Sequence, residues 1–182
     1  MPQFRVSEAW CYSPYHIGLR GRYTGGVADE FRFDDDMRRV VTEQSLAFFA
    51  TVNADGTPNL SPKGTIRTWG EGKLVFAHVH SPGTVRNLRT NPAIEVNVVD
   101  PIVRKGYRFR GTGRVLESGP EWDGVMAMYR ETTVRADERI HAVVIIDVME
   151  AEGLTSPAYD LGMSEDEVRE QWMERWRVLY RF

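Results

Sequence analysis

The stretch from Ser81 to Pro92 has the residue types of an anion site at the start of a short helix. It reads Ser-Pro-Gly-Thr-Val-Arg-Asn-Leu-Arg-Thr-Asn-Pro and lies between two apolar runs. Ser81 or Thr84 is placed to cap the helix, because a short hydroxyl side chain satisfies free amide hydrogens. The Asn91-Pro92 pair ends it, since the residue before a proline favours extended geometry. Free amides at a helix start attract phosphate groups.

The helical spacing of this stretch separates an apolar side from a basic side. Val85 and Leu88 are three residues apart, so both face the core. Arg86, Asn87 and Arg89 are then left for the other side, where arginine forms strong hydrogen bonds with phosphate. The alternative is an ordinary crossover helix with a solvated basic face.

A second polar stretch lies just before it, on a strand that we expect to be its neighbour. Ser61, Lys63, Thr65 and Arg67 occupy alternate positions, so in a regular strand they share one face. Gly64 allows a ligand to approach the backbone closely. The alternative is a solvated strand face, which the same alternation predicts. Together the two stretches favour a site for a phosphate or a planar polar ligand.

The motifs of other common sites are missing from the sequence. There is no Walker-type glycine loop, no Gly-x-Ser-x-Gly elbow and no pair of cysteines for zinc. The glycines of Gly111-Thr112-Gly113 lack a third partner and sit inside a predicted strand, which excludes a dinucleotide fingerprint. His78 and His80 would face the same way on a strand, but the sequence places no further ligand beside them, so we expect no metal.

The composition is that of an ordinary soluble protein. The 182 residues are 42% hydrophobic and 27% charged, which predicts one globular domain. A net charge of -3 argues against bulk binding of nucleic acid. The single cysteine, Cys11, excludes an internal disulfide framework. We see no signal peptide and no apolar run of bilayer length, and therefore expect a cytoplasmic protein.

The elements that must position these residues are mostly strands joined in hairpins. The first 33 residues are rich in aromatic side chains and are expected to pack on a surface. Helix patterns cover residues 34–44, 119–129 and 164–180, and the stretch from residue 81 to residue 92 holds the short helix described above. Strand patterns cover residues 46–52, 57–68, 73–77, 93–99, 103–116 and 139–148, and residues 151–163 are predicted to be irregular. Because proline cannot donate to a ladder, the two prolines predict that 57–68 is an edge strand or that its backbone is used elsewhere. This order predicts a mainly β fold with added helices, built on an antiparallel barrel.

The spaced pattern over roughly residues 37–117 resembles the pyridoxamine 5'-phosphate oxidase-like FMN-binding split-barrel family. Each piece of the pattern is weak alone, but the complete set in this order is fairly specific. The pieces are Leu46–Val52, Asp55-Gly56-Thr57-Pro58, Ser61-Pro62-Lys63-Gly64, Leu74-Val75-Phe76-Ala77, Ser81-Pro82-Gly83-Thr84-Val85-Arg86-Asn87-Leu88, Asn91-Pro92, Val96-Asn97-Val98-Val99-Asp100 and Gly106–Val115.

The resemblance implies a split β-barrel of Greek-key type that forms a homodimer with FMN at the interface. It implies that the flavin phosphate lies near Lys63 and Arg86, and that the backbone of residues 61–65 follows the flavin ring. An aromatic side chain from the N-terminal segment, or Trp172 or Trp176, is expected to cover the ring. The expected cofactor-binding residues are Asn59, Ser61, Pro62, Lys63, Gly64, Thr65, Arg67, Ser81, Thr84, Arg86 and Asn87.

The sequence departs from the true pyridoxamine phosphate oxidases at two places. Those enzymes have serine-arginine-lysine where this chain has Ser81-Pro82-Gly83, and their C-terminal tryptophan and arginine-x-histidine pattern is not evident here. These departures argue against vitamin B6 oxidation. We expect one domain over residues 1–182, with an aromatic-rich segment at 1–33, a barrel at 37–151 and a C-terminal helix at 164–180.

The expected function is that of a flavin-dependent oxidoreductase acting on a small substrate. Two alternatives stay open at this stage. The same fold can hold a deazaflavin or heme in place of FMN. The chain can also be a non-catalytic module that binds or stores flavin, or a dimeric interaction domain with an empty cleft.

Overall fold

The computed structural model describes residues 30–132 and 139–181 of the chain. These residues form four helices and seven strands. In chain order they are α1 (Asp35–Gln44), β1 (Ala47–Val52), β2 (Pro58–Lys63), β3 (Arg67–Trp69), β4 (Lys73–His78), α2 (Pro82–Thr90), β5 (Ala93–Asp100), β6 (Lys105–Leu116), α3 (Pro120–Thr132), β7 (Ala142–Thr155) and α4 (Glu165–Tyr180).

The strands form one antiparallel sheet in the order β2-β1-β5-β6-β7-β4-β3. Its two edge strands, β2 and β3, are separated in the chain only by residues 64–66. The backbone from Lys63 to Arg67 spans at most about 14 Å, whereas the edges of a flat sheet of this size lie roughly 29 Å apart. The sheet must therefore curl into a barrel that is open between β2 and β3. This confirms the predicted antiparallel barrel.

Strands β4 to β7 have Greek-key connectivity, which determines where α2 lies. β5, β6 and β7 are neighbours in sequence order, while β4 pairs with β7 and reaches β5 only through α2. This is the arrangement of three adjacent strands and a returning fourth that defines a Greek key. The connection packs α2 against β1, β2 and β6. The two polar stretches found in the sequence are thus brought together.

Two apolar clusters hold the barrel together. The first fills its interior and includes Phe49, Leu74, Phe76 and Phe109, all almost completely buried. The second lies between α3 and the other face of β4 and β7. Because these two strands are buried on both faces, their sequences are continuous apolar runs instead of alternating ones. Five core residues also belong to α1 and the segment before it or to α2, and these are Phe33, Val40, Val41, Val85 and Leu88.

Several predicted boundaries are wrong. The predicted strand over residues 57–68 is two strands, because residues 64–66 leave the ladder as the chain crosses the barrel opening. β2 pairs only with β1, so its assignment as an edge strand is confirmed. β7 continues to Thr155 beside β6, so residues 151–155 are not irregular. β6 begins at Lys105 and not at residue 103, because Arg104 has a left-handed backbone with φ of 59°.

Short-range features account for other details of the fold. Ser164 and Glu167 form a capping box at the start of α4. The register between β6 and β7 shifts between Arg110 and Gly111, which marks a bulge. A Cβ atom at Gly111 would lie 2.2 Å from the carbonyl oxygen of Asp147, so only glycine fits there. The prediction for residues 1–33 lies outside the described residues, except for 30–33.

The helices in residues 30–132 and 139–181 all lack the length and apolar composition that crossing a membrane requires.

Candidate functional site

The site is built around Lys63, the last residue of β2. The inward-facing positions of β2 are Asn59, Ser61 and Lys63, and the Lys63 side chain is only 7% exposed. Its Nζ lies 4.9 Å from the ring centroid of Phe76 and 5.7 Å from that of Phe49. Both rings belong to the barrel core. The ammonium group therefore lies at the polar margin of an apolar interior.

No carboxylate in the described part of the chain forms an ion pair with this ammonium. Its Nζ donates to Ser61 Oγ at 3.1 Å and to Thr84 Oγ1 at 3.5 Å, and both acceptors are uncharged. Burial lowers the pKa of Lys63 to about 8. A buried charge without a partner costs several kcal/mol, so native proteins normally pair it. An anion bound at this position would balance the charge of the ammonium.

The hydroxyl oxygens around Lys63 accept hydrogen bonds, and their hydrogens can still be donated to a ligand. Thr84 Oγ1 accepts from Lys63 Nζ and, at 3.4 Å, from Asn59 Nδ2. Thr51 Oγ1 accepts from Asn59 Nδ2 at 3.0 Å and from Asn87 Nδ2 at 3.1 Å. A hydroxyl has two acceptor lone pairs and one hydrogen, so each of these groups keeps a hydrogen to donate. Such a set of donors suits an anion.

Asn87 of α2 completes this hydrogen-bond network and links the helix to the barrel. It is buried and donates to Asn53 Oδ1 at 2.9 Å as well as to Thr51. The sequence analysis placed Asn87 with Arg86 and Arg89 on the outer side of the helix, and for Asn87 this is wrong. The prediction for Arg86 and Arg89, which are both exposed, is confirmed.

Arg86 lies over the first turn of α2. A Cβ atom built on Gly83 would be 4.0 Å from Arg86 Nη2 and 3.6 Å from Asn59 Oδ1. The guanidinium of Arg86 and the Asn59 amide therefore flank the same glycine, where the backbone is open to a ligand. The helix start also carries the positive end of the helix dipole, which adds to the attraction of an anion.

Ser81 occupies the N-cap position of α2 but its side chain forms no cap hydrogen bond. Instead, its Oγ lies 3.2 Å from Nδ1 of His78, and its backbone N–H donates to the same nitrogen at 3.2 Å. The prediction that Ser81 or Thr84 caps the helix is therefore wrong, because Ser81 makes no cap bond and Thr84 lies inside α2. The first amides of a helix have no partner within the helix, so those of α2 stay available.

The remaining predicted residues lie beside the hydrogen-bonded cluster around Lys63 and are not part of it. Thr65 Oγ1 bonds the backbone of Ala77, accepting from its N–H at 3.0 Å. Arg67 donates to the carbonyl oxygen of Ile66 at 2.6 Å. Pro62 and Gly64 are exposed next to Lys63. The alternation that was expected to place Ser61, Lys63, Thr65 and Arg67 on one face stops at Lys63, where β2 ends.

Tyr129 of α3 holds the segment that follows Lys63. The ring is buried, and the hydroxyl donates to the carbonyl oxygen of Thr65 at 2.6 Å. Residues 64–66 have no ladder partner, so this bond and the Thr65–Ala77 bonds fix their backbone. We expect Tyr129→Phe to lower the free energy of unfolding by about 1–2 kcal/mol, because the carbonyl loses its partner. Chemical denaturation measures this loss, and an unchanged midpoint would contradict the role of the bond.

Four residues of the site are not predicted from the sequence, and these are Thr51, Asn53, His78 as an acceptor, and Tyr129. The sequence does contain a signal for Thr51. It follows Ala47 and Phe49 at alternate positions of the strand, so its hydroxyl is expected on the side that faces the core. His78 and His80 were considered only as metal ligands. β4 ends at His78, so the two histidines do not share a strand. The described residues contain no group of three or more side chains able to hold a metal ion.

An apolar face lies on the outer side of β1 and β2, opposite Lys63. Its exposed members are Leu46, Phe48, Val52 and Leu60, with Val99 of β5 beside them. Between this face and α4 there is a cavity of about 740 Å³ that Trp172 and Trp176 also line. The guanidinium of Arg104 lies 4.2 Å above the ring of Trp172. Both tryptophans named in the sequence analysis thus border this face.

Comparisons with known proteins agree with this architecture. The profile of the pyridoxamine 5'-phosphate oxidase family matches residues 33–154. HupZ of Group A Streptococcus is 29% identical with a TM-score of 0.61, covering 68% of this chain and 95% of HupZ. An FMN-binding protein from Syntrophomonas wolfei is 13% identical with a TM-score of 0.56, covering 66% and 84%. An F420 reductase is 19% identical with a TM-score of 0.51, covering 66% and 98%. No curated protein matches the sequence.

Proposed function

The chain belongs to the pyridoxamine 5'-phosphate oxidase family, and we propose that it is a flavin-dependent oxidoreductase whose Lys63 site holds the phosphate of FMN. The observation that carries the proposal is the buried ammonium of Lys63, which has no carboxylate partner in the described residues and lies beside the start of α2. Family membership supports a flavin, and the S. wolfei protein of the same fold is FMN-binding.

The residues at the site fit a phosphate monoester. Lys63 supplies a buried positive charge, and Thr84 and Ser61 supply hydroxyl hydrogens. Arg86 and the open backbone at Gly83 supply a second cation and free amides. The donors are fixed by bonds to one another before any ligand arrives, which lowers the cost of ordering the site.

When bound, a flavin supplies hydride or electron transfer, and the protein binds and orients it. Lys63 and α2 hold its phosphate end in this proposal. The exposed backbone at Pro62 and Gly64, which Tyr129 helps to fix, runs towards the position expected for the ring. No acid or base of this chain is required for such chemistry, and we assign none.

We also propose that the protein is a homodimer with the cofactor at the interface. The support is the contrast between two outer faces of the barrel. The outer face of β5, β6 and β7 carries ion pairs of Glu95, Arg108 and Arg110 with each other and with neighbouring glutamates. The outer face of β1 and β2 is apolar, and α4 covers it only in part, since Leu60 stays 65% exposed. Uncovered apolar patches of this kind mark sites of association.

The test of the cofactor is the absorption spectrum of the purified protein, followed by titration of the ligand-free form with FMN. We expect a flavin spectrum and a rise in melting temperature with FMN, because a ligand that binds only the folded state stabilises it. Reduction of the bound flavin by nicotinamide cofactors would support the oxidoreductase. A deazaflavin or heme spectrum would show that the cofactor is not FMN. Bound flavin that no donor reduces would favour a storage module. Colourless protein with an unchanged melting temperature would overturn the proposal.

Arg86→Ala tests the second cation of the site. We expect FMN affinity to fall about tenfold, because one charge-assisted hydrogen bond to the phosphate is lost. The matched control is Arg89→Ala, one turn along the same helix, whose guanidinium already pairs with Glu117. Fluorescence titration of FMN measures both affinities. Equal affinities for the two variants would remove Arg86 from the site.

A further inference from the structure

His78 is held against the N-cap residue of α2 in a way that depends on its protonation. Its Nδ1 accepts the backbone N–H of Ser81, so this nitrogen carries no hydrogen. The Ser81 hydroxyl lies at the same distance, 3.2 Å, from the same nitrogen. A proton on Nδ1 would end the first contact and reverse the direction of the second.

Burial lowers the pKa of His78, and positive charges on the described elements around it lower this pKa further. These charges belong to His141 before β7, Lys63 of β2, Arg89 of α2 and His80 after β4. The rings of His78 and His141 are 6.1 Å apart. His78 is therefore neutral near pH 7 for two reasons, namely burial and the excess of positive charge around it. A phosphate dianion bound at the start of α2 would offset the second effect, the excess of positive charge.

We propose that His78 is a positioning residue that couples phosphate binding to the uptake of a proton from solvent. This inference rests on the proposed function of the Lys63 site. When a phosphate dianion occupies the start of α2, a solvent proton binds the Nδ1 lone pair. The new N–H donates to Ser81 Oγ, and the Ser81 hydroxyl hydrogen and backbone N–H are released towards the anion. The serine that makes no cap in the ligand-free protein thus becomes a donor to the ligand.

Calorimetry can count this proton. FMN is titrated into the ligand-free protein at about pH 7 in buffers of different ionisation enthalpy, since the dependence of the heat on buffer gives the protons taken up. We expect a net uptake of protons on FMN binding in the wild type, because the nearby negative charge of the phosphate raises the pKa of the histidine. At this pH Lys63 is already largely protonated, because its pKa is about 8. The FMN phosphate is already largely a dianion, because its second pKa is about 6. Neither group therefore contributes much to the proton uptake.

The variants separate His78 from its neighbours. In His78→Gln the amide oxygen can still accept from Ser81, but it cannot titrate, and we expect most of the uptake to disappear. His141→Gln and His80→Gln should keep more than half of it. Riboflavin, which lacks the phosphate, should bind the wild type without uptake.

The result that overturns the inference is FMN binding with equal uptake in the wild type and in His78→Gln, or with no uptake in either. Absence of FMN binding would instead overturn the proposed function, so the two failures are distinguishable. Melting temperatures of the ligand-free variants establish that each is folded before titration.

Discussion

Lys63→Met should weaken FMN binding about 100-fold while it makes the ligand-free protein more stable. The loss of affinity follows from removing a buried cation that contacts the phosphate, an interaction of about 2–3 kcal/mol. The gain in stability follows from removing an uncompensated charge, which methionine replaces with a side chain of similar length. Because the two effects have opposite signs, general damage to the fold cannot imitate them. FMN titration and urea denaturation measure them.

The pH dependence of stability gives an independent readout of the same residue. The pKa of Lys63 is about 8 in the folded state against 10.5 for the free side chain, so the unfolded chain binds more protons between these values. The free energy of unfolding of the ligand-free protein therefore rises with pH over this window. Burial raises the pKa of Tyr129, which acts in the opposite direction above about pH 10. The difference between the wild type and Lys63→Met cancels the tyrosine and isolates the lysine.

The control is Lys73→Met, because Lys73 is partly exposed and pairs with Asp147 on the outer face of the barrel. We expect it to leave FMN affinity unchanged within about twofold. If Lys63→Met binds FMN as well as the wild type does, the phosphate lies elsewhere. If its ligand-free form is less stable than the wild type, the ammonium is not an uncompensated charge.

If the protein is the homodimer that we propose, Leu60→Asp should convert it to a monomer that still folds. Leu60 is 65% exposed in the single chain, so a charge there costs the fold little. In a dimer that covers this face the same carboxylate would lose its water without gaining a partner, which costs several kcal/mol. Lys63 lies on the opposite side of β2 from this face, so FMN affinity is a separate readout: a fall together with dimerisation would support a cofactor at the interface, and an unchanged affinity would contradict it. Light scattering gives the mass, and circular dichroism shows whether the fold is kept.

Met149→Asp is the matched control, since Met149 of β7 is 67% exposed outside the apolar face. It should remain dimeric. A dimeric Leu60→Asp protein would place the interface on another surface, and a monomeric wild type would contradict the homodimer outright.

The local elements could be predicted because their signals act over a few residues. The proline at the start of α2, the spacing of Val85 and Leu88, and the capping box of α4 each report on one turn of helix. The hairpin between β1 and β2 follows from the Asp55-Gly56 turn signal and the alternation before it. The residue types of the anion site, a lysine and hydroxyls next to a helix start, were likewise visible in the chain.

Tertiary structure alone decided which of these residues meet. Thr65 and Arg67 continue the alternation of Ser61 and Lys63 in the sequence, but the barrel opens after Lys63 and the chain leaves the ladder. Asn87 is polar and was expected to face outward, yet the packing of α2 on β1 buries it against Thr51. No local signal shows either event, because each depends on pairings between segments far apart in the chain.

The sequence by itself thus determined the order of the helices and strands and most residue types of the site, since capping, turn and alternation preferences are short-range. The charge state of the site was determined only by the fold. Lys63 is an ordinary lysine in a strand until barrel closure places its ammonium over Phe49 and Phe76, without a carboxylate among the described residues to balance it. The same packing turns His78 against Ser81 and surrounds it with basic groups. Burial and the distances between charges are long-range quantities, and they produce the affinity for an anion that we propose.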